Sequence, residues 1–287
     1  MHEFHGNTVF MEGATRWSDT EKGFYFAESA WIPVGRIWQV QAQSRPGGLR
    51  MAQKRGNAVL TQCGRCEVPK AEKFCRAEKG KGPASCPSLH KRELVKASRE
   101  NTPPEEVVFA RQAAIQESVG YRNRDKGYGH VTPEKPRIVE IVEFAKRMGY
   151  KHLGLIFCGG AQREGEIVHE ILETNGFTVT SVMCKAGKVP KSSYGVTQEQ
   201  HVDQTKPVET VCNPKFQALV VNEVGVDFNI LVNLCVGHDS IALMHLEAPT
   251  TVLSVKDRVT GHSPLVPIYQ YDSYYRYLKY PLPLDDL

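Results

Sequence analysis

Residues 228–239, FNILVNLCVGHD, decide the fold. Phe228, Ile230, Leu231, Val232 and Leu234 form a short apolar run, the pattern of a strand covered on both faces in a parallel sheet. The run stops at Cys235. Val236-Gly237-His238-Asp239 then turns the chain, and Asp239 or Ser240 is placed to N-cap a helix over residues 240–246. A cysteine therefore stands at the carboxyl end of a strand and faces a helix N-terminus. Open α/β sheets bind ligands at that edge, and the unpaired N–H groups and dipole of a helix start stabilise a thiolate there.

The pattern recurs upstream. HLGLIF (His152–Phe157) runs into Cys158-Gly159-Gly160 and a helical stretch over 161–175, and FTVTSVM (residues 177–183) runs into Cys184-Lys185. Cys212 precedes Asn213-Pro214, an N-cap followed by proline at the first helical position. TTVLSV (Thr250–Val255) is a fourth strand and ends in Lys256-Asp257-Arg258. Alternating strands and helices predict an α/β fold with a mostly parallel, Rossmann-like sheet and helices on both faces. Its carboxyl edge collects Cys158, Cys184, Cys212 and Cys235 as ligands for a cofactor. Glu164, His238, Lys256 and Asp257 are the candidate catalytic groups, the lysine, the aspartate and the glutamate as proton donors. Gly159-Gly160-Ala161-Gln162-Arg163-Glu164-Gly165 departs from G-x-G-x-x-G, so a dinucleotide reading fails. Residues 188–207 have no apolar period and read as a lid, a binding loop or a disordered connection. The tail from Ser263 reads as a strand and a short helix over 273–278.

A second cysteine set lies upstream. Cys63-Gly64-Arg65-Cys66 is a C-x-x-C, followed by Cys75 and Cys86 in a stretch rich in lysine, glycine and proline. Such a segment supplies little core and needs a staple; four thiolates round a tetrahedral ion provide one. Zinc and an iron–sulfur cluster both suit this spacing. A thioredoxin-like redox pair is the alternative, and it lacks the preceding strand of a βαβ unit. Between the knuckle and the sheet the chain reads as helical. Thr102 is the expected cap of a helix whose apolar face is Val107, Val108, Ala110, Ala113, Ala114 and Ile115. A further helix is expected to start at Pro133, to bury Ile138, Ile141, Val142 and Ala145, and to end at Gly149.

Composition is that of a globular protein: 287 residues, 41% hydrophobic and 24% charged, with a formal net charge of +4 that does not single out nucleic acid. No apolar stretch approaches a membrane span of about 20 residues, and eight cysteines without a secretory signal read as cytoplasmic metal or redox chemistry. Three segments are expected: 1–50 as a non-native or disordered extension, 51–100 as the knuckle, and 101–287 as the α/β domain. The extension holds all three tryptophans and none of the cysteines, and Gly47-Gly48 shortly before Met51 fits a ribosome-binding sequence ahead of a true start at Met51.

FCGGAQREGE, VMCKAGKVPK, CNPKFQALVVNE, LVNLCVGHDS and VLSVKDRVTGHSP, together with the upstream knuckle, resemble the domain of unknown function 1847 family over residues 57 to the C-terminus. Its members are described as predicted metal-binding proteins, and the resemblance implies metal binding by the cysteines. The expected function is a metal-binding protein holding zinc or a [4Fe–4S] cluster, extending to a redox or sulfur-transfer enzyme of desulfidase type. The alternative is a non-catalytic metal or cluster carrier or sensor with a structural zinc knuckle. A thiol enzyme with Cys235 as nucleophile and His238 as base is a third reading. The expected partners are a small-molecule substrate or an electron-transfer protein, with no nucleic acid and no membrane.

Overall fold

The computed structural model describes residues 60–100 and 102–282, so the expected extension over 1–50 and the start at Met51 lie outside the described residues. The chain divides into two compact units at His90/Lys91.

In the second unit, four strands form one parallel sheet: β1 (His152–Phe157), β2 (Thr178–Met183), β3 (Phe228–Leu234) and β4 (Thr250–Val255), in the order β2-β1-β3-β4. The apolar runs account for all four. Every residue of β3 is buried, because it lies inside the sheet with helices over both faces. The longer helices are α1 (Pro104–Val119), α2 (Arg137–Met148), α3 (Gln162–Thr174), α4 (Pro214–Glu223) and α5 (His238–His245). On one face, Ile141, Phe144 and Ala145 of α2 and Val168 and Leu172 of α3 pack on Leu153, Leu155, Ile230 and Val232. On the other, Val221 of α4 and Ala242 of α5 pack on Ile156, Val182, Leu231 and Leu234. Alternation along β1 and β3 thus feeds two cores. Gly165 lets α3 approach β1: a Cβ there would lie 2.9 Å from the Phe157 ring. Gly154 instead makes room within the sheet, since a Cβ there would strike the Asn229 side chain on the neighbouring strand.

Several local expectations are corrected. Pro103, not Thr102, precedes α1, and Thr102 donates back to Arg99 O instead. The apolar face read for α1 is not its packed face, since Val107 and Val108 are about half exposed while Phe109 meets Phe144 edge-on at 5.1 Å and Gln116 is buried. Gln116 donates to Glu143 and accepts from Arg147, which is why a polar residue occupies that side. Residues 132–133 pair with Tyr121–Arg122 as a short antiparallel ladder, so α2 begins only at Arg137; it ends at Gly149, whose φ of +75° needs a glycine. Helix α5 starts at His238 behind Gly237, two residues earlier than expected, and ends at His245. The loop over 188–207 is organised rather than featureless: helical turns Lys191–Tyr194 and Gln198–Gln200 are held by Glu209, which accepts from Val202 N–H and pairs with Lys191 at 3.2 Å. Among the described residues the tail shows helical turns Val266–Tyr269 and Arg276–Lys279 and no strand. No described helix is long and apolar enough to cross a membrane.

The first unit is a loop-rich segment whose ordered parts are short turns. Cys63–Arg65 is a 3-10 turn closed by Cys66 N–H on Cys63 O, and Lys81 bridges Lys73, accepting from Phe74 N–H and donating to Glu72 O. The helical turn Pro87–His90 follows directly on Cys86.

Candidate functional site

Strand order reverses between β1 and β3, and α/β sheets open a crevice at the carboxyl ends of such a pair. The cysteines arrive there by backbone pairing. Cys158 N–H continues the ladder onto Val232 O at 3.1 Å, and Cys184 N–H onto Phe157 O at 2.9 Å. Asn213 N–H donates to Cys184 O at 2.7 Å, which draws Cys212 in from the long loop, and Asn213 Oδ1 caps α4 by accepting from Phe216 N–H. Gln217, wholly buried one turn into α4, ties the helix to the sheet by donating to Phe157 O at 3.1 Å and Val182 O at 2.6 Å.

The result is a row of three sulfurs. Cys184 Sγ lies 3.4 Å from Cys212 Sγ, accepts from Gly159 N–H at 3.2 Å, and accepts from the Cys158 thiol. The row is electrostatically graded. The bond to Cys184 and then burial push the Cys158 thiol up to about 12, against Gly160 N–H and Lys256. For Cys184 the bond from Cys158 pulls downward, but the bond to Cys212 and burial outweigh it and the thiol is raised. The bond from Cys184, aided by Lys185, brings Cys212 down to about 7 in spite of burial. The row thus relays hydrogen bonds toward Cys212, which is its half-exposed end.

The other sequence candidates are placed as follows. Cys235 is half-buried after β3, and Arg258 Nη2 donates to its Sγ at 3.0 Å. Lys256 lies beside Cys158, its Nζ reaching the space above Gly160. His238 opens α5, and burial holds its imidazole below its ordinary value against the opposing charge of Cys158, so it is neutral at pH 7. Asp257 accepts from Val259 and Thr260 N–H, both at 3.0 Å, so its carboxylate is committed to its own turn. Those bonds, Thr260 N–H first, keep it ionised below the usual carboxylate range. Glu164 is exposed in the first turn of α3. Cys158, Cys184, Cys212, Lys256 and His238 thus share one electrostatic neighbourhood.

Three residues of the site escaped the sequence reading. Arg258 was visible only as the third polar residue after β4. Gln217 had a signal: with Pro214, Ala218 and Val221 it completes the buried stripe of α4. Asn233 is buried two residues before Cys235 with φ of +53° at an irregularity in the β3–β4 ladder, and its Oδ1 has no hydrogen-bond partner.

The donor chemistry suits a soft metal. Two thiolates on one zinc lie about 3.8 Å apart at Zn–S distances of about 2.3 Å, close to the 3.4 Å between Cys184 and Cys212. In the first unit, Cys63, Cys66, Cys75 and Cys86 line one cavity of about 80 Å³. That is room for an ion and far below the roughly 300–1,000 Å³ of organic-ligand pockets. Gly82 borders the same cavity and leaves it open for sulfur, since a Cβ there would come within 2.9 Å of Cys86 Sγ. Among the described residues, no group of three or more His, Cys, Asp or Glu side chains is arranged to hold a metal ion. What suits a metal in both cysteine sets is the donor type, not a completed geometry.

Fold and site together define an α/β protein with a thiol cluster at the carboxyl edge of a parallel sheet, preceded by a four-cysteine unit. The chain belongs to the family described as protein of unknown function (DUF1847), whose model matches residues 86–253. That span takes in Cys86 and all four edge cysteines and ends before Lys256. The chain is also similar to an uncharacterized protein of Methanocaldococcus jannaschii, with 40% identity over 136 residues, 47% of this chain and 68% of that protein. No solved structure matches at a significant level.

Proposed function

We propose that this is a metal-binding protein that holds zinc or a [4Fe–4S] cluster through cysteine thiolates. The observation that carries the reading is the row Cys158–Cys184–Cys212, soft donors in contact at a sheet edge made for ligands. Cys235 is the fourth donor at this edge, on a Rossmann-like sheet. Cys63, Cys66, Cys75 and Cys86 are a separate, structural knuckle that staples a segment with little core of its own.

The edge set is the working site and the knuckle is not, because the edge is partly open and carries chemistry besides thiols. Lys256 and Arg258 sit on Cys158 and Cys235, where they offset thiolate charge, and the Gly159 and Gly160 N–H groups bond Cys184 and Cys158. His238 supplies a neutral imidazole that can accept a proton at pH 7. When bound, zinc would supply Lewis acidity and a cluster would supply electrons for redox or sulfur-transfer chemistry. A small molecule or an electron-transfer protein is the partner this edge would meet. The alternative function, a carrier or sensor, uses the same ligands without turnover.

The test is metal and acid-labile sulfide content of protein prepared without oxygen, in the wild type, in a variant with Cys63 and Cys66 changed to serine, and in a variant with Cys184 and Cys212 changed to serine. The proposal expects metal in the wild type and loss of a distinct share in each variant. A wild type without metal overturns it. Metal retained in full by both variants overturns the ligand assignment.

A further inference from the structure

We propose that Cys212 and Cys184 act as an exchanging dithiol that reduces low-molecular-weight disulfides and closes an internal Cys184–Cys212 bond. The exchange belongs to the metal-free edge site, since metal held by Cys184 and Cys212 and a disulfide between them exclude each other.

The geometry of the pair supports it. The sulfurs are 3.4 Å apart, and a disulfide requires about 2.05 Å, so each side chain has under 1 Å to travel. The backbone is already clamped at the right place, because Asn213 N–H donates to Cys184 O at 2.7 Å. The two sulfurs also differ in access. Cys184 is 2% exposed and cannot meet an outside sulfur, whereas Cys212 is only partly buried at the end of the row. One is therefore the entry sulfur and the other the resolving sulfur. Gly159 N–H, 3.2 Å from Cys184 Sγ, is placed to hold charge on the resolving sulfur as it loses its proton. Cys235, the other partly buried edge cysteine, contacts the Arg258 guanidinium at 3.0 Å rather than a second sulfur that could resolve a mixed disulfide.

The chemistry balances in two exchanges. Cys212 sulfur attacks RSSR, the S–S bond breaks, Cys212–S–S–R forms, and RS⁻ leaves with the proton that Cys212 gave up. Cys184 sulfur then attacks Cys212 Sγ, the Cys212–SR bond breaks, and the second RS⁻ leaves with the Cys184 proton. The two protein thiols are oxidised, one disulfide is reduced to two thiols, and two electrons pass.

The experiment treats the full chain, after removal of any metal by chelation, with oxidised glutathione, followed by alkylation and peptide mapping. Trypsin leaves Cys158, Cys184, Cys212 and Cys235 in four different peptides, so each linkage is read directly. The wild type is expected to yield the linked Cys184 and Cys212 peptides without a glutathione adduct. Cys184→Ser is expected to trap glutathione on Cys212, and Cys212→Ser to give no adduct on Cys184. A Cys158–Cys184 or Cys158–Cys212 linkage, an adduct confined to Cys235, or no thiol loss in the wild type overturns the proposal. The wild-type mapping decides it even if a variant fails to fold. Because metal content is measured separately, failure here leaves the metal reading untouched, and the converse also holds.

Discussion

Replacing Gln217 by leucine separates the anchoring of the thiol row from the thiols themselves. The Gln217 amide donates to Phe157 O and Val182 O, one residue before Cys158 and two before Cys184, and its side chain is wholly buried. Leucine keeps the volume and deletes both bonds. Each contributes about 1–1.5 kcal/mol net, and Phe157 O keeps a second donor in Cys184 N–H at 2.9 Å. The deletion also removes Gln217 Oε1, a buried acceptor with no partner, which returns about 1 kcal/mol. The net loss is about 1–2 kcal/mol. With a urea m-value of about 2 kcal/mol/M for a domain of this size, the unfolding midpoint falls by about 0.5–1 M. The assay is urea unfolding followed by circular dichroism, with glutathione-driven closure of Cys184–Cys212 measured on the same samples below the transition. Closure is expected to slow, because α4 no longer holds Cys212 against the strand ends. A midpoint within about 0.2 M of wild type, with unchanged closure, would refute the anchoring role.

Other expectations follow from single contacts. In metal-free protein, alkylation of Cys212 should rise with a midpoint near pH 7, where its thiol is set to about 7, while Cys158, at about 12, stays unreactive through pH 9; a Cys212 midpoint at the ordinary thiol value of about 8.5 would contradict the relay. Asp227 accepts from Lys151 N–H at 2.7 Å and His152 N–H at 2.9 Å, which holds its carboxyl below the ordinary value. Its stabilisation is therefore present above the unfolded carboxylate pKa and fades as pH falls through the native one. Asp227→Asn should cost about 1 kcal/mol near neutrality and flatten the acid side of a stability profile measured by thermal unfolding. Gly165→Ala places a Cβ 2.9 Å from the Phe157 ring; about 1–3 kcal/mol of overpacking against about 1 kcal/mol of helix propensity gained gives a net loss of about 1 kcal/mol, read by urea midpoint. Chelation should expose the lysine-rich segment 60–90 to trypsin, since a structural thiolate site supplies about 10–16 kcal/mol to a segment of this kind; unchanged cleavage would remove the staple.

The sheet was legible because its strands are apolar runs bounded by turn residues, and three of its cysteines and Asn213-Pro214 sit at those boundaries. Strand order was not legible. It arises from pairings such as Leu153 with Phe228, far apart in sequence, and only that order shows that Cys158 and Cys235 flank the point of reversal. The misread α1 face has a local cause: Val107, Val108 and the alanines look like core, while the packed side is polar Gln116 satisfied by Glu143 and Arg147 from α2. Asp257 read as a free acid because its turn partners, Val259 and Thr260, hold it mainly through backbone N–H groups, which no side-chain pattern reveals. The contact of Cys184 with Cys212 likewise depends on one backbone bond from Asn213 across the long loop.

The most direct test of thiolate metal binding is X-ray absorption at the edge of whatever metal the protein carries when purified without oxygen. The account predicts a first shell of sulfur, at about 2.3 Å for zinc, that loses sulfur when Cys184 and Cys212 are replaced by serine. A first shell of nitrogen and oxygen at about 2.0–2.2 Å, unchanged by those substitutions, would contradict it.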